Sequence, residues 1–178
     1  MPARQPSLPR LWLLSDERND ARLEHSLARL PRGSGFVFRH YHLDSEARRR
    51  RFDALAKLVH AGGHRLVLSG EARLAADWGS DGIYAPPDRL GEASGQLRLA
   101  TAHDAQEIAL ANRAGADGLF LSPVFATRSH PEAASLGAER FRELASQAKM
   151  PVIALGGMTA ERAAQLGWPR WAAIDGLS

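Results

Sequence analysis

One pattern repeats from end to end of this sequence: a short apolar run, a polar or glycine break, then a stretch with helical spacing. The runs fall at Leu11–Leu14, Phe36–His40, Arg65–Leu68, Gly82–Tyr84, Leu97–Thr101, Gly118–Leu121, Val152–Leu155 and Trp171–Ile174. The run Val152–Leu155 is short and uninterrupted, as expected of a strand covered on both faces. Between the runs the spacing predicts helices over Ala21–Leu30, Glu46–Ala61, Ala105–Ala114 and Ala138–Gln147. In "HDAQEIALANRAGADG", Asp104 and Glu107 stand as a capping box and Gly115 as a stop. A last helix is capped by Thr159 and ends at Gly167. Strands alternating with helices imply a parallel sheet, and eight of them a (β/α)₈ TIM barrel.

Two features trim that barrel. The connection "APPDRLGEASG" after the fourth strand is turn-rich and short for a helix, and the sequence stops four residues after the eighth strand, so the final helix is expected to be missing. With 178 residues, 44% of them hydrophobic, a single domain over 1–178 is the expectation. The lack of cysteine excludes a disulfide framework, a thiolate nucleophile and a Cys-based zinc site. The N-terminus has too few apolar residues together for a secretion signal or a membrane span, so a soluble cytoplasmic protein is expected. A net charge of +3, carried almost wholly by arginine, permits an anionic ligand without requiring nucleic acid.

Barrel chemistry sits at the C-terminal ends of the strands. That rule selects Asp16, the Arg39-His40-Tyr41 stretch, Ser69-Gly70, His103, the loop Ser122–His130, Gly156-Gly157 and Asp175-Gly176. Loops seven and eight commonly form a phosphate site in this fold, and a glycine pair ahead of a helix lets backbone N–H groups approach an anion. Gly156 and Gly157 are therefore expected to hold phosphate. A plain tight turn would use the same residues.

"GADGLFLSPVFATRSHP" followed by "MPVIALGGMTAER" resembles the thiamine phosphate synthase and TenI superfamily, which uses a (β/α)₈ barrel. The resemblance implies that thiazole phosphate is held by Gly156, Gly157 and Gly176, with Thr127 and Ser129 supplying hydroxyls. Synthases of the family join an aminomethylpyrimidine pyrophosphate to that thiazole, and pyrophosphate leaves with magnesium. Their Asn-Asp pair after the third strand is replaced here by Ser69-Gly70, and of their Gln-x-Arg-x-Lys only Arg39 survives. His130 stands for their loop-six lysine. TenI-type members are similar to thiazole tautomerases, whose histidine after the fifth strand corresponds to His103, a group able to take and give a proton near neutral pH. The resemblance thus implies three functions in this order: a tautomerase using His103, a diverged synthase, and a binder of a phosphate ligand without chemistry. No metal or cofactor is expected, magnesium entering only under the synthase reading.

His25, His60 and His64 lie on helices or helix ends and read as structural. The run Arg48–Arg51 reads as the solvated side of a helix that buries Phe52, Leu55, Leu58 and Val59, and no aromatic platform accompanies it, so nucleic acid and membrane are not expected partners. An uncovered flank beside the eighth strand favours a homodimer, with Trp168 and Trp171 as anchors.

Overall fold

The computed structural model describes residues 7–92, 95–129, 131–132 and 134–177. Eight parallel strands close into a barrel in chain order. They are β1 (Leu11–Leu14), β2 (Gly35–Phe38), β3 (Arg65–Ser69), β4 (Gly82–Ala85), β5 (Leu97–Ala102), β6 (Gly118–Leu121), β7 (Val152–Ala154) and β8 (Trp171–Ala173). Outside them run α1 (Leu23–Arg29), α2 (Ser45–Ala61), α3 (Ala72–Asp77), α4 (Ala105–Ala114), α5 (Gly137–Ala145) and α6 (Ala160–Leu166). Among the described residues no helix follows β8 and none is long and apolar enough to cross a membrane. Among its described residues the connection after β4 holds only the short 3₁₀ turn Pro87–Arg89.

Alternation along each strand sorts the apolar side chains into two cores. Trp12, Leu14, Val37, Val67, Leu99, Phe120 and Ile153 fill the barrel interior. Leu13, Phe36, Phe38, Leu66, Leu68 and Ile83 belong to the outer core, with Leu27, Phe52, Leu55 and Val59 of the helices. The interior is tight at its N-terminal mouth. A methyl added to Gly35 would lie 2.2 Å from the Trp12 ring, and one on Gly118 2.9 Å from Leu8. Missing side chains at those inward positions make room for Trp12, whose Nε1–H donates to Pro9 O at 2.8 Å, and for buried Leu8. Leu8 and Pro9, just ahead of β1, thus close the mouth.

Several boundaries differ from the sequence reading. The helix expected over Ala21–Leu30 is a 3₁₀ turn, Glu17–Arg22, followed by α1, because Asp16 and Asn19 form a capping box that opens the turn early. β2 ends at Phe38 rather than His40, whose φ of 43° takes the chain out of the sheet. The six-residue α3 lies in a stretch where the sequence reading placed no helix. Asn19 Nδ2 donates to Leu14 O at 2.9 Å and Ile174 O at 3.0 Å, stitching the β1–β8 seam. The arginine run divides. Arg49 and Arg50 pair with Asp53 and Glu46 on the exposed side, whereas Arg48 lies over Phe38 and Trp78 and donates to Arg39 O and Ser69 O. Arg51 binds Asp20 and Glu24. Of the expected solvated face, Arg48 thus ties the ends of β2 and β3 together and Arg51 ties α2 to the 3₁₀ turn and α1. Trp168 and Trp171 pack on the chain's own outer core, Trp168 against Phe141 and with its Nε1–H on Val152 O at 2.8 Å.

Candidate active site

A cleft of about 680 Å³ opens at the C-terminal ends of the strands. Its lining takes in Arg39, His103, Thr127, Ser129, Gly156, Gly157 and Gly176, so the barrel brings together the described residues to which the resemblance gave a catalytic or binding role, whereas Asp16, His40 and Gly70 of the strand-end selection lie outside the lining. His130 lies outside the described residues.

On the side of loops one and two, Arg39 is fixed from three directions. Its N–H donates to Ser15 Oγ at 2.7 Å, its Nε to Ser15 O at 2.8 Å, and one guanidinium nitrogen to Asp16 Oδ2 at 3.0 Å. Behind it, buried His40 stacks on Phe38 and spans Ser15 Oγ (2.8 Å) and Asp20 Oδ1 (2.7 Å). An ionised carboxylate only accepts, so Nε2 carries the hydrogen and Nδ1 accepts from the serine hydroxyl. Burial pushes His40 below its usual value, which keeps it neutral in that role. Tyr41 lies under the Arg39 guanidinium, and its hydroxyl meets Ser69 Oγ at 2.5 Å. Tyr84 faces the cleft from the interior; burial pushes its phenol up to about 12, so it presents a neutral hydroxyl.

His103 follows β5. Glu107 Oε2 accepts from its backbone N–H at 2.6 Å and from ring Nδ1 at 2.9 Å. The capping box expected of this helix is therefore one-sided: Asp104 caps Glu107 N, but the glutamate reaches back to His103 instead of Asp104. With Nδ1–H spent on a carboxylate, Nε2 is the ring atom left for a substrate.

Loops six and seven lock together. Val124 N donates to Leu155 O at 2.9 Å and Phe125 N to Gly156 O at 3.1 Å. Gly156 and Gly157 have φ of 106° and 61°, and a Cβ would lie 2.6 Å from Pro123 Cα at the first and 2.4 Å from Ala126 O at the second. Backbone conformation and contact with loop six thus account for both glycines. Their N–H groups, and that of Gly176, have no acceptor among the described residues, which leaves them available to an anion. Arg18 crosses the barrel top to donate to Ser129 Oγ at 2.9 Å and lies 3.5 Å from Asp175.

Two arginines are what sequence reasoning missed. Arg22 and Arg162 line the cleft with Arg39 and with Arg128 of the loop that the sequence had selected. Arg162 NH1 donates to Gly157 O at 2.5 Å and its guanidinium covers the Phe125 ring at 5.1 Å. Its place in the first turn after the glycine pair could have signalled it; nothing local marks Arg22.

A family model described as thiamine monophosphate synthase matches residues 11–174, the full circuit of strands. The chain belongs to that family. Two curated thiamine-phosphate synthases resemble it: one from Chloroflexus aurantiacus, 29% identical over 63% of this chain and 55% of that protein, and one from Nitrosococcus oceani, 26% identical over 70% and 63%. The matches thus span between about half and two thirds of those relatives. A solved thiamine phosphate pyrophosphorylase from Pyrococcus furiosus shares the fold, with TM-score 0.76 and 21% identity over 93% of this chain and 85% of that one. The magnesium implied by membership of the thiamine monophosphate synthase family finds little here. Among the described residues no three His, Asp or Glu side chains converge, and Asp175 is the one carboxylate in the lining. Asp16 is engaged by Arg39 and Arg18. The residues present do not fit a protein-held divalent cation.

Proposed function

We propose that this chain acts in thiamine biosynthesis as a thiamine phosphate synthase, condensing an aminomethylpyrimidine pyrophosphate with a thiazole phosphate. The observation that carries the reading is a single cleft with guanidinium groups at both ends, Arg22 and Arg39 from the first two βα units and Arg128 and Arg162 from the sixth and seventh. Two phosphorylated substrates need two such ends. A volume of about 680 Å³ lies in the upper part of the roughly 300–1,000 Å³ range of small-molecule pockets. The relatives' names point the same way, which moves the synthase ahead of the tautomerase that the motifs had favoured. In this reading Gly156, Gly157, Gly176, Thr127 and Ser129 receive the thiazole phosphate, and Arg39 the pyrophosphate.

The geometry at His103 favours a second reading, a thiazole tautomerase. A ring held through Nδ1 by Glu107 presents Nε2 to the cleft, the arrangement a general acid–base needs. The two readings separate in one assay series. Purified protein with both substrates should form thiamine phosphate; if it does not, but exchanges solvent deuterium into a thiazole carboxylate phosphate in a manner abolished by His103→Asn, the tautomerase reading replaces the synthase. Binding of thiazole phosphate without either reaction would leave a ligand-binding protein. A cytoplasmic homodimer completes the proposal, and light scattering at micromolar concentration giving a monomer mass would remove the dimer.

A further inference from the structure

We propose that arginine, and not a divalent cation, balances ligand charge in this cleft, with Arg128 and Arg162 as a guanidinium clamp at the loop-six and loop-seven end. The inference rests on the anion-binding part of the proposed function. Among the described residues four arginines line the cleft against one carboxylate, Asp175, and that carboxylate faces Arg18. Magnesium is usually held through one or two carboxylates together with ligand phosphates and waters, and the one carboxylate described in this lining is already met by a guanidinium. The position after β3 offers instead the Ser69 hydroxyl, already in contact with Tyr41, while the Ser69 carbonyl accepts from Arg48.

Placement of Arg162 is the second observation. It is exposed, yet seated between Gly157 O and the Phe125 ring, so its fork is preorganised at the lip beside the unpartnered Gly156 and Gly157 N–H groups. Among the described residues Gly157 O is the only hydrogen-bond acceptor of its guanidinium. Arg128 stands between Thr127 and Ser129 on the facing loop and also lines the cleft. Backbone donors and guanidinium groups meeting there suit a di- or monophosphate oxygen cluster without metal.

Calorimetric titration of the full chain with inorganic pyrophosphate tests this, in chelator and in excess magnesium. Magnesium competes for pyrophosphate in solution, so the expected result is equal or tighter binding in chelator. Inorganic phosphate, titrated alongside, reports the loop-six and loop-seven end that the proposed function gives to the thiazole phosphate; for it Arg162→Gln and Arg128→Gln should each raise Kd at least tenfold, about 1.4 kcal/mol, with unchanged melting temperature since both side chains are exposed. Asp175→Asn, which would weaken a metal-held ligand, should bind pyrophosphate as well as or better than the parent. Tightening by magnesium of about tenfold or more, or loss of binding in Asp175→Asn, overturns the clamp while leaving the proposed function standing. Parent-like binding by both arginine variants also overturns it. Absence of pyrophosphate and phosphate binding under every condition overturns both.

Discussion

Replacing Gly157 with alanine separates the two reasons a glycine could stand there. The residue has φ of 61°, and left-handed backbone costs an L-residue about 1–2 kcal/mol. The new Cβ would lie 2.4 Å from Ala126 O, against an ordinary carbon–oxygen approach of about 3.3 Å, so loop six must withdraw by about 1 Å. That loop is pinned by Phe125 N on Gly156 O at 3.1 Å, a bond worth about 1 kcal/mol that the withdrawal breaks. The sum is about 2–3 kcal/mol, or roughly 4–12 °C of melting temperature for a domain of this size. Gly167→Ala is the control. It ends α6 at φ 63° with nothing within 4 Å of an added Cβ, so it carries the strain alone. Thermal melts followed by circular dichroism should place Gly157→Ala several degrees below Gly167→Ala. Phosphate affinity should fall only in the former, because Thr127, Arg128 and Ser129 ride on the displaced loop. Melting temperatures within a degree of each other would refute the packing argument.

Two further outcomes follow from the barrel's mouth and its buried ionic network. Gly35→Ala drives a methyl into the fully buried Trp12 ring, which Phe120 and Pro9 O hold in place, so overpacking of about 1–3 kcal/mol is expected with ligand affinity intact; a parent-like melt would show that the ring has room. Acid should destabilise the fold. Burial holds His40 below its usual 6.5, so the unfolded chain takes up a proton there before the native one does. Burial alone would raise the Asp20 carboxyl, but hydrogen bonds from His40 and Arg51 bring it below 3.8, and the Arg51 hydrogen bond lowers Glu24. Each depressed group contributes stability above its unfolded value that is lost as pH falls through its folded one, so melting temperature should begin to drop below pH 6.5 through His40 and drop further below 4.5 and 3.8 through Glu24 and Asp20. A melting temperature that rises on acidification contradicts this assignment.

What the sequence made legible was what local chemistry decides. α4 begins and ends where Asp104 and Gly115 say it should, since cap and stop act within one turn. The eight apolar runs gave the strand order because a buried parallel strand needs no partner-specific signal. What escaped depends on residues brought together by closure. His40 leaves β2 because Ser15 and Asp20, both from the preceding βα unit, hold its ring. Arg48 reads as solvent-facing from its helix alone, until Phe38 and Trp78 supply the surface it lies on. Gly156 and Gly157 looked like a phosphate cradle, whereas their lack of side chains answers first to Pro123 and Ala126 across the gap. The cleft arginines come from separate loops, and no window of sequence contains them together.

The seam that Asn19 stitches has a consequence in time. Its amide reaches a carbonyl 155 residues further along the chain, and β8 lies against β1 along Leu11–Leu13. Contacts so distant along the chain form late, because loop closure must be met before they reward it. Until they form, the sheet is an open ribbon with two bare edges, and the loop-one arginine has no loop-eight neighbour. Binding competence therefore arrives with the final step of folding. In a refolding experiment, helical signal should recover first, and phosphate capture should appear together with the burial of Trp12 inside the closed ring.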